Sequence, residues 1–439
     1  MIRNILALIA GAIAASAVVA PAHADGYERH GRWAEDQRDQ GVQLGPRPVY
    51  LVDGMDEGKL KRRLSQCQDG PFYRTDFSIA HRGAALQFPE HTRESYEAGA
   101  RQGAGIVECD VTFTKDGGLV CRHSDCDLHT TTDILTSPLR NRCERPWTGA
   151  FDGDWGGPFN PADAGAGPKC CTWNLTLDEF KTLRGKMDAA DPAASSLAGY
   201  MNATAPWRTD LYTGRGTLLT LRESVDLNRK LGVKHTPELK GGDAAQIAAV
   251  FGGQSQYARS MTDELADAGV APRDAWPQSF NVEDVLNWID TTNYGKQAVY
   301  LLDYNAATDD IVIQPPYDGM DRKKYFSMLK KRGVRIVAPP MPALLAVNDS
   351  GRIIPSKLAQ DLRAMGFDII TWTFERSDLR EGASKAGYYY DFDPTGAAIK
   401  KDSDMYKALD VLAREVKILG IFSDWPATVT YYANCMGLK

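Results

Sequence analysis

Two rhythms of apolar and polar residues alternate from residue 77 onward. Short apolar runs recur at 77–82, 106–113, 233–240, 278–281, 298–303, 334–339, 368–374 and 421–424, and stretches with helical spacing separate them. Strands alternating with helices predict a parallel sheet, and eight such units predict an α/β chain folded as a closed (β/α)8 TIM barrel. The runner-up is an open doubly wound sheet, but no G-x-G-x-x-G follows the first strand. A ninth run, 119–123, breaks the count. Only Lys115, Asp116, Gly117 and Gly118 separate it from the second strand. That is too short for a parallel crossover, so the pair is read as an antiparallel hairpin. With its turn centred between Asp116 and Gly117, His123 falls opposite Asp110.

The flanking segments read differently. Residues 126–215 form a long insertion after the second strand, rich in Gly, Pro, Cys and Trp, with a helix candidate at 177–183. Cysteines and tryptophans favour an ordered loop, placed to roof the barrel's active face. Residues 25–75 are polar and irregular, with a short basic helix near 59–64, and are read as an arm packed on a barrel domain spanning 76–439. The first 24 residues carry Arg3, an apolar run and Ala22-His23-Ala24, the pattern of a cleaved signal peptide. Export to a periplasm or out of the cell is therefore expected, with no membrane span left after cleavage. Eight cysteines on an exported chain predict disulfides. Cys67 and Cys435 flank the barrel and could tie its ends together. Cys109 and Cys121 stay open between a bridge and buried thiols. A net charge of −6 argues against a nucleic-acid partner.

Chemistry gathers at the strand ends, where barrel enzymes carry their sites. The first strand ends in His81 and Arg82. The second carries Glu108 and Asp110 on one face, because side chains alternate with period two. The hairpin adds His123, and "TPELK" adds Glu238 and Lys240. Three converging carboxylates repel one another unless a divalent cation joins them, and all-oxygen ligation suits Ca²⁺, Mg²⁺ or Mn²⁺. Arg82 and Lys240 form a clamp suited to phosphate. His81 and His123 are candidates for general base and general acid. A glycosidase needs two carboxylates and no phosphate clamp, so phosphoryl chemistry fits better.

The run "HRG…PEHT…VECDVTFTKDG…RHS", with "LTLDEFKTLRG", "TPELK", "QSF", "TWTFE" and "GIFSDWP" further on, resembles the glycerophosphodiester phosphodiesterase family over residues 77–430. The resemblance implies a TIM barrel, one divalent cation (Ca²⁺ first, Mg²⁺ second) and a small-molecule substrate. Glycerophosphodiesters would be cleaved to glycerol 3-phosphate and an alcohol such as choline or ethanolamine. Position by position, His81 and His123 match the family's catalytic pair. Glu108, Asp110 and Glu238 match its metal ligands, and Arg82 and Lys240 its phosphate contacts. Phe280 and Trp372 are read as pocket walls, Glu90 as a brace of the first loop, and Asp424 as structural or supporting. Two departures stand out: His91 replaces an asparagine that supports the loop, and Ser124 replaces an aspartate, with Asp125 one place later. The alternative is a phospholipase C- or D-like phosphodiesterase acting on intact phospholipids or sphingolipids.

Overall fold

The computed structural model describes residues 41–147 and 167–438. The candidate signal peptide at 1–24, the start of the arm and the middle of the insertion lie outside the described residues. Nine strands matter to the site. They are β1 (Thr75–Ala80), β2 (Ala104–Phe113), β3 (Leu119–Cys121), β4 (Lys234–Leu239), β5 (Gln278–Ser279), β6 (Val299–Leu301), β7 (Ile336–Ala338), β8 (Asp368–Phe374) and β9 (Gly420–Ser423). All but β3 pair in parallel and follow one another around the sheet in chain order. β1 pairs with both β9 and β2, which closes the barrel. The eight-unit (β/α) reading therefore holds.

Alternation sets what points inward. Every residue of β2 is buried. Ile106 joins Ile79, Val299, Leu301, Ile336, Ile370 and Phe422 in one apolar cluster, while Val107, Cys109 and Val111 pack into the main core. Glu108 and Asp110 share the side of Ile106, so period two turns both carboxylates away from that main core. Asp110 pairs in register with Glu238 on β4, which brings the third carboxylate alongside. Helices start where the sequence supplies caps. Thr92 accepts from Ser95 N ahead of Arg93–Arg101, and Thr220 with Glu223 forms a capping box ahead of Leu221–Leu231.

Two expectations are corrected. The expected strand 298–303 stops at Leu301, and Asp303 belongs to a separate antiparallel pair, Asp303–Asn305 with Asp310–Val312. The hairpin register is one residue off. Val111 faces Cys121, and Arg122 N donates to Asp110 O at 2.7 Å, so Arg122 and not His123 lies opposite Asp110. The cause is the turn. Gly117 adopts φ +84°, and Thr114 N bonds Gly118 O at 2.9 Å, which centres the loop on Asp116.

The described part of the insertion has its own small core, in which Leu128, Ile134, Trp147 and Phe180 pack on Val120 and Leu218. Cys126–Cys171 and Cys143–Cys170 brace it. It meets the loop after β1, where Thr209 N and Leu211 N donate to Leu86 O and Gln87 O. None of its described residues lines the site pocket, and the middle of the insertion, on which the expected roof also rests, lies outside the described residues.

Cys109 pairs with Cys121, and Cys67 with Cys435 across 368 residues. The latter bridge ties the arm to the last helix, Pro426–Met436, where Tyr431 Oη also donates to Leu64 O at 2.7 Å. Replacing Cys67 and Cys435 together with serine should lower stability by about 2–4 kcal/mol, because the unfolded chain regains the freedom of a very long loop. An unchanged melting temperature under non-reducing conditions would count against that clamp. No helix among the described residues is long and apolar enough to cross a membrane.

Candidate active site

The turn after β1 is built for close approach. Gly83 has φ +94°, and a Cβ there would lie 2.3 Å from Ser95 Oγ. Only glycine fits. Arg82, just before it, is itself left-handed at φ 56°, as are His91 at 54° and Glu375 at 74°. Such conformations are costly for non-glycine residues and persist where surrounding contacts impose them. Here those contacts are visible: Arg82 N donates to Glu108 Oε2 at 3.0 Å, and His91 N to Arg82 O at 3.1 Å. The Arg82 guanidinium donates to Glu90 Oε2 at 2.7 Å and sits 3.6 Å from Asp110 Oδ2. Burial alone would raise the Glu90 carboxyl, but Arg82, His91 and Arg376 bring it down to about 2. Glu90 thus anchors Arg82 as a permanent anion.

Glu108, Asp110 and Glu238 are all buried, with one oxygen from each lying within 4.8 Å of the others. Burial, Asp110 and Glu238 push the Glu108 carboxyl well above the carboxylate range, and burial with Asp110 raises Glu238 to about 7. Asp110 would also rise by burial, but Lys240 and His91 hold it well below its ordinary value. Its Oδ1 is buried with no hydrogen-bond partner. A crowded set of hard oxygen donors, one of them orphaned, fits a divalent cation. The neighbours orient the set. Gln278 Nε2 donates to Glu108 Oε1 at 3.0 Å, His91 Nε2 contacts Asp110 Oδ2 at 2.8 Å, and Lys240 Nζ donates to Glu238 Oε1 at 2.6 Å.

His81 is held from behind. Its Nδ1 lies 2.7 Å from Asp424 Oδ1, and its Nε2 is 3.7 Å from Glu108 Oε2. Burial opposes charge on Asp424, yet Arg376 and His81 keep its carboxyl below the ordinary range. An ionised Asp424 accepts from Nδ1–H, which leaves the Nε2 lone pair free. Arg376 donates to Asp424 Oδ2 at 3.1 Å and to Asp188 Oδ2 at 2.6 Å, and Asp188 also receives Arg208. His123 lines the same pocket as His81, Arg82, Glu108, Glu238 and Lys240. Burial, then Arg82 and Lys240, hold its imidazole well below the usual histidine range. Burial likewise depresses His81. Phe280 and Trp372 complete the wall with Leu301, Tyr389 and Phe422.

Every residue expected at the site from sequence comes to this pocket or touches a group in it. The departures from the family pattern are accommodated. His91 bridges Asp110 to the Tyr96 hydroxyl, the latter at 2.9 Å. Asp125 turns instead to the insertion, where Trp173 Nε1 donates to it at 3.3 Å. Sequence reasoning missed Arg376, Asp188 and Tyr389. Arg376 directly follows the quoted "TWTFE", a signal that could have found it. Asp188 and Tyr389 sit in irregular segments with no signal.

Fold and site together define a parallel barrel whose carboxylate triad and cationic pair share one pocket with two imidazoles. Residues 81–428 match the model of the glycerophosphoryl diester phosphodiesterase family. An extracellular protein of Arthroderma benhamiae is 36% identical over 257 residues, covering 57% of this chain and all of the relative. A glycerophosphodiester phosphodiesterase of Arabidopsis thaliana is 28% identical over 199 residues, covering 44% of this chain and 43% of its own length. A structure from Silicibacter pomeroyi, described as a candidate glycerophosphoryl diester phosphodiesterase, superposes with TM-score 0.52 at 16% identity, over 84% of this chain and 96% of that one. The chain belongs to the glycerophosphoryl diester phosphodiesterase family.

Proposed function

We propose that this protein hydrolyses glycerophosphodiesters to glycerol 3-phosphate and an alcohol, using one divalent cation held by Glu108, Asp110 and Glu238. The observation that carries it is the convergence of His81, His123, Arg82 and Lys240 with Glu108 and Glu238 in one pocket, with Asp110 against those two carboxylates. Hard oxygen donors of this kind suit Ca²⁺ or Mg²⁺, and the family resemblance puts Ca²⁺ first. Bound there, the cation supplies Lewis-acid charge to a phosphoryl oxygen. Arg82 and Lys240 hold the anionic phosphodiester, Arg82 fixed by Glu90. His81, with Nδ1–H given to Asp424, takes the proton of the attacking hydroxyl at Nε2. That hydroxyl is a water, or the substrate's own glycerol 2-OH, in which case a cyclic phosphate forms as the alcohol leaves and a water then opens it to glycerol 3-phosphate. His123 protonates the departing alcohol. An anionic substrate offsets the Arg82 and Lys240 charges that depress His123, so binding raises its proton affinity when it is needed.

Export follows as part of the same reading. The N-terminal pattern, four disulfides and the relative named as extracellular support it. The test is glycerol 3-phosphate release from glycerophosphocholine by the purified protein. Release should stop in EDTA and return with Ca²⁺ or Mg²⁺, and phosphatidylcholine and sphingomyelin should be cleaved far more slowly. Release that persists in EDTA would sink the cation's role. Faster cleavage of the intact lipids would replace the substrate class.

A further inference from the structure

We propose that the aromatic end of this pocket is a subsite for a quaternary ammonium group, so that the preferred leaving alcohol is of the choline type. The inference rests on the phosphodiesterase reading above and adds the identity of the leaving group. The pocket is divided by chemistry. Glu108, Glu238, Lys240 and Gln278 cluster through hydrogen bonds and close carboxylates as its polar end, while the Phe280, Trp372 and Tyr389 rings contact one another as its aromatic end. A glycerophosphodiester has two arms. The glycerol arm, with its vicinal hydroxyls, matches the polar end. The second ester arm is then left to the rings.

Those rings are arranged as a corner. Phe280 stands edge-on to Trp372 at 5.7 Å and 82°, and Tyr389 does the same at 6.3 Å and 80°. Trp372 Nε1 donates to Ala338 O at 2.8 Å, which fixes the indole plane. Tyr388 stacks on Trp372 at 6.4 Å. A rigid tryptophan face flanked by perpendicular rings is suited to a cation held by ring quadrupoles. Phe280 already has Lys240 Nζ 6.0 Å from its centroid and Tyr388 covers one side of Trp372, so the pocket side of Trp372 and the Tyr389 ring are left for a ligand.

The chemistry also selects among cations. A primary ammonium carries three N–H donors and loses their water partners against a wall of rings. A trimethylammonium has no N–H donors to leave unpaired. Negative charge lies just outside. Asp303 and Asp391 are close enough to Tyr388 to raise its hydroxyl's pKa, alongside the larger effect of burial. They would attract a cationic arm without entering the corner.

The experiment compares kcat/KM of the full purified chain for three substrates. These are glycerophosphocholine, glycerophosphoethanolamine and the glycerophosphodiester of 3,3-dimethylbutanol, which has choline's shape without its charge. Glycerophosphocholine should exceed each of the others about tenfold. Tyr389→Leu should bring the ratios towards one. Should that variant fold poorly, tetramethylammonium inhibition of the unaltered enzyme gives the same reading, with inhibition expected and its absence counting against the subsite. Similar rates on all three substrates overturn the subsite and leave the phosphodiesterase standing. Equal preference for choline and its neutral isostere overturns the cation part. Turnover of none of the three overturns the phosphodiesterase reading, and the subsite falls with it.

Discussion

His81→Ala should lower kcat for glycerophosphodiester hydrolysis by about 10²–10⁴-fold, the usual worth of a positioned general base. The expectation comes from geometry behind the ring. Asp424 is fully buried, accepts from His81 Nδ1 at 2.7 Å, and is itself held by Arg376 at 3.1 Å. Asp424→Asn is the sharper test. The amide keeps the shape but can donate to Nδ1, which moves the ring proton to Nε2 and blocks its use as a base. Its kcat should therefore fall nearly as far as that of His81→Ala, with KM little changed. Asp188→Ala, one step further out along Arg376, should cost less, because Arg376 keeps its direct bonds to Asp424. Retention of more than a tenth of wild-type kcat by His81→Ala would remove His81 from the proton transfers.

Much of this site was legible because it follows local periodicity. Period two put Glu108 and Asp110 on one face of a strand, and the same rule paired Glu238 on β4 with Lys240 just past its end. The barrel was legible because apolar runs and helical spacings alternate eight times. The hairpin register failed by one residue because a four-residue connection suggests a symmetric turn. The left-handed Gly117 shifts the real centre to Asp116. What stayed hidden is non-local. Asp188 and Arg376 lie 188 residues apart and meet only through two irregular segments. Tyr389 sits in a three-residue 3₁₀ turn, Tyr388–Tyr390, which carries no amphipathic pattern. The disulfide map was only partly legible: Cys67 and Cys435 could be read as a tie between the ends, whereas Cys109 and Cys121 stayed open between a bridge and buried thiols.

In the metal-free protein the raised carboxyls of the triad should cost stability as pH rises, and the cation should cancel that part of the pH dependence. Burial and mutual repulsion raise the Glu238 carboxyl from 4.5 to about 7 and push Glu108 well above its ordinary value. A carboxyl raised on folding holds its proton more tightly in the native state than in the unfolded chain. Between the unfolded value and the raised one, the native state binds more protons, so stability falls as pH increases. For Glu238 that window runs from about 4.5 to about 7. Glu108, being raised too, acts in the same direction. Asp110 is depressed and acts oppositely, with stability lost as pH falls through its low folded value, outside this window. A bound divalent cation replaces the protons and keeps all three groups ionised, so its binding releases protons and strengthens with pH. At about a hundredfold excess over Kd it should add about 2.7 kcal/mol. His81, His91 and His123 are depressed by burial and act the other way below about 6.5, so the readout is the cation's increment: Ca²⁺ should raise the melting temperature more at pH 8 than at pH 5. The same Ca²⁺ shift at both pH values would place the cation somewhere other than between Glu108, Asp110 and Glu238.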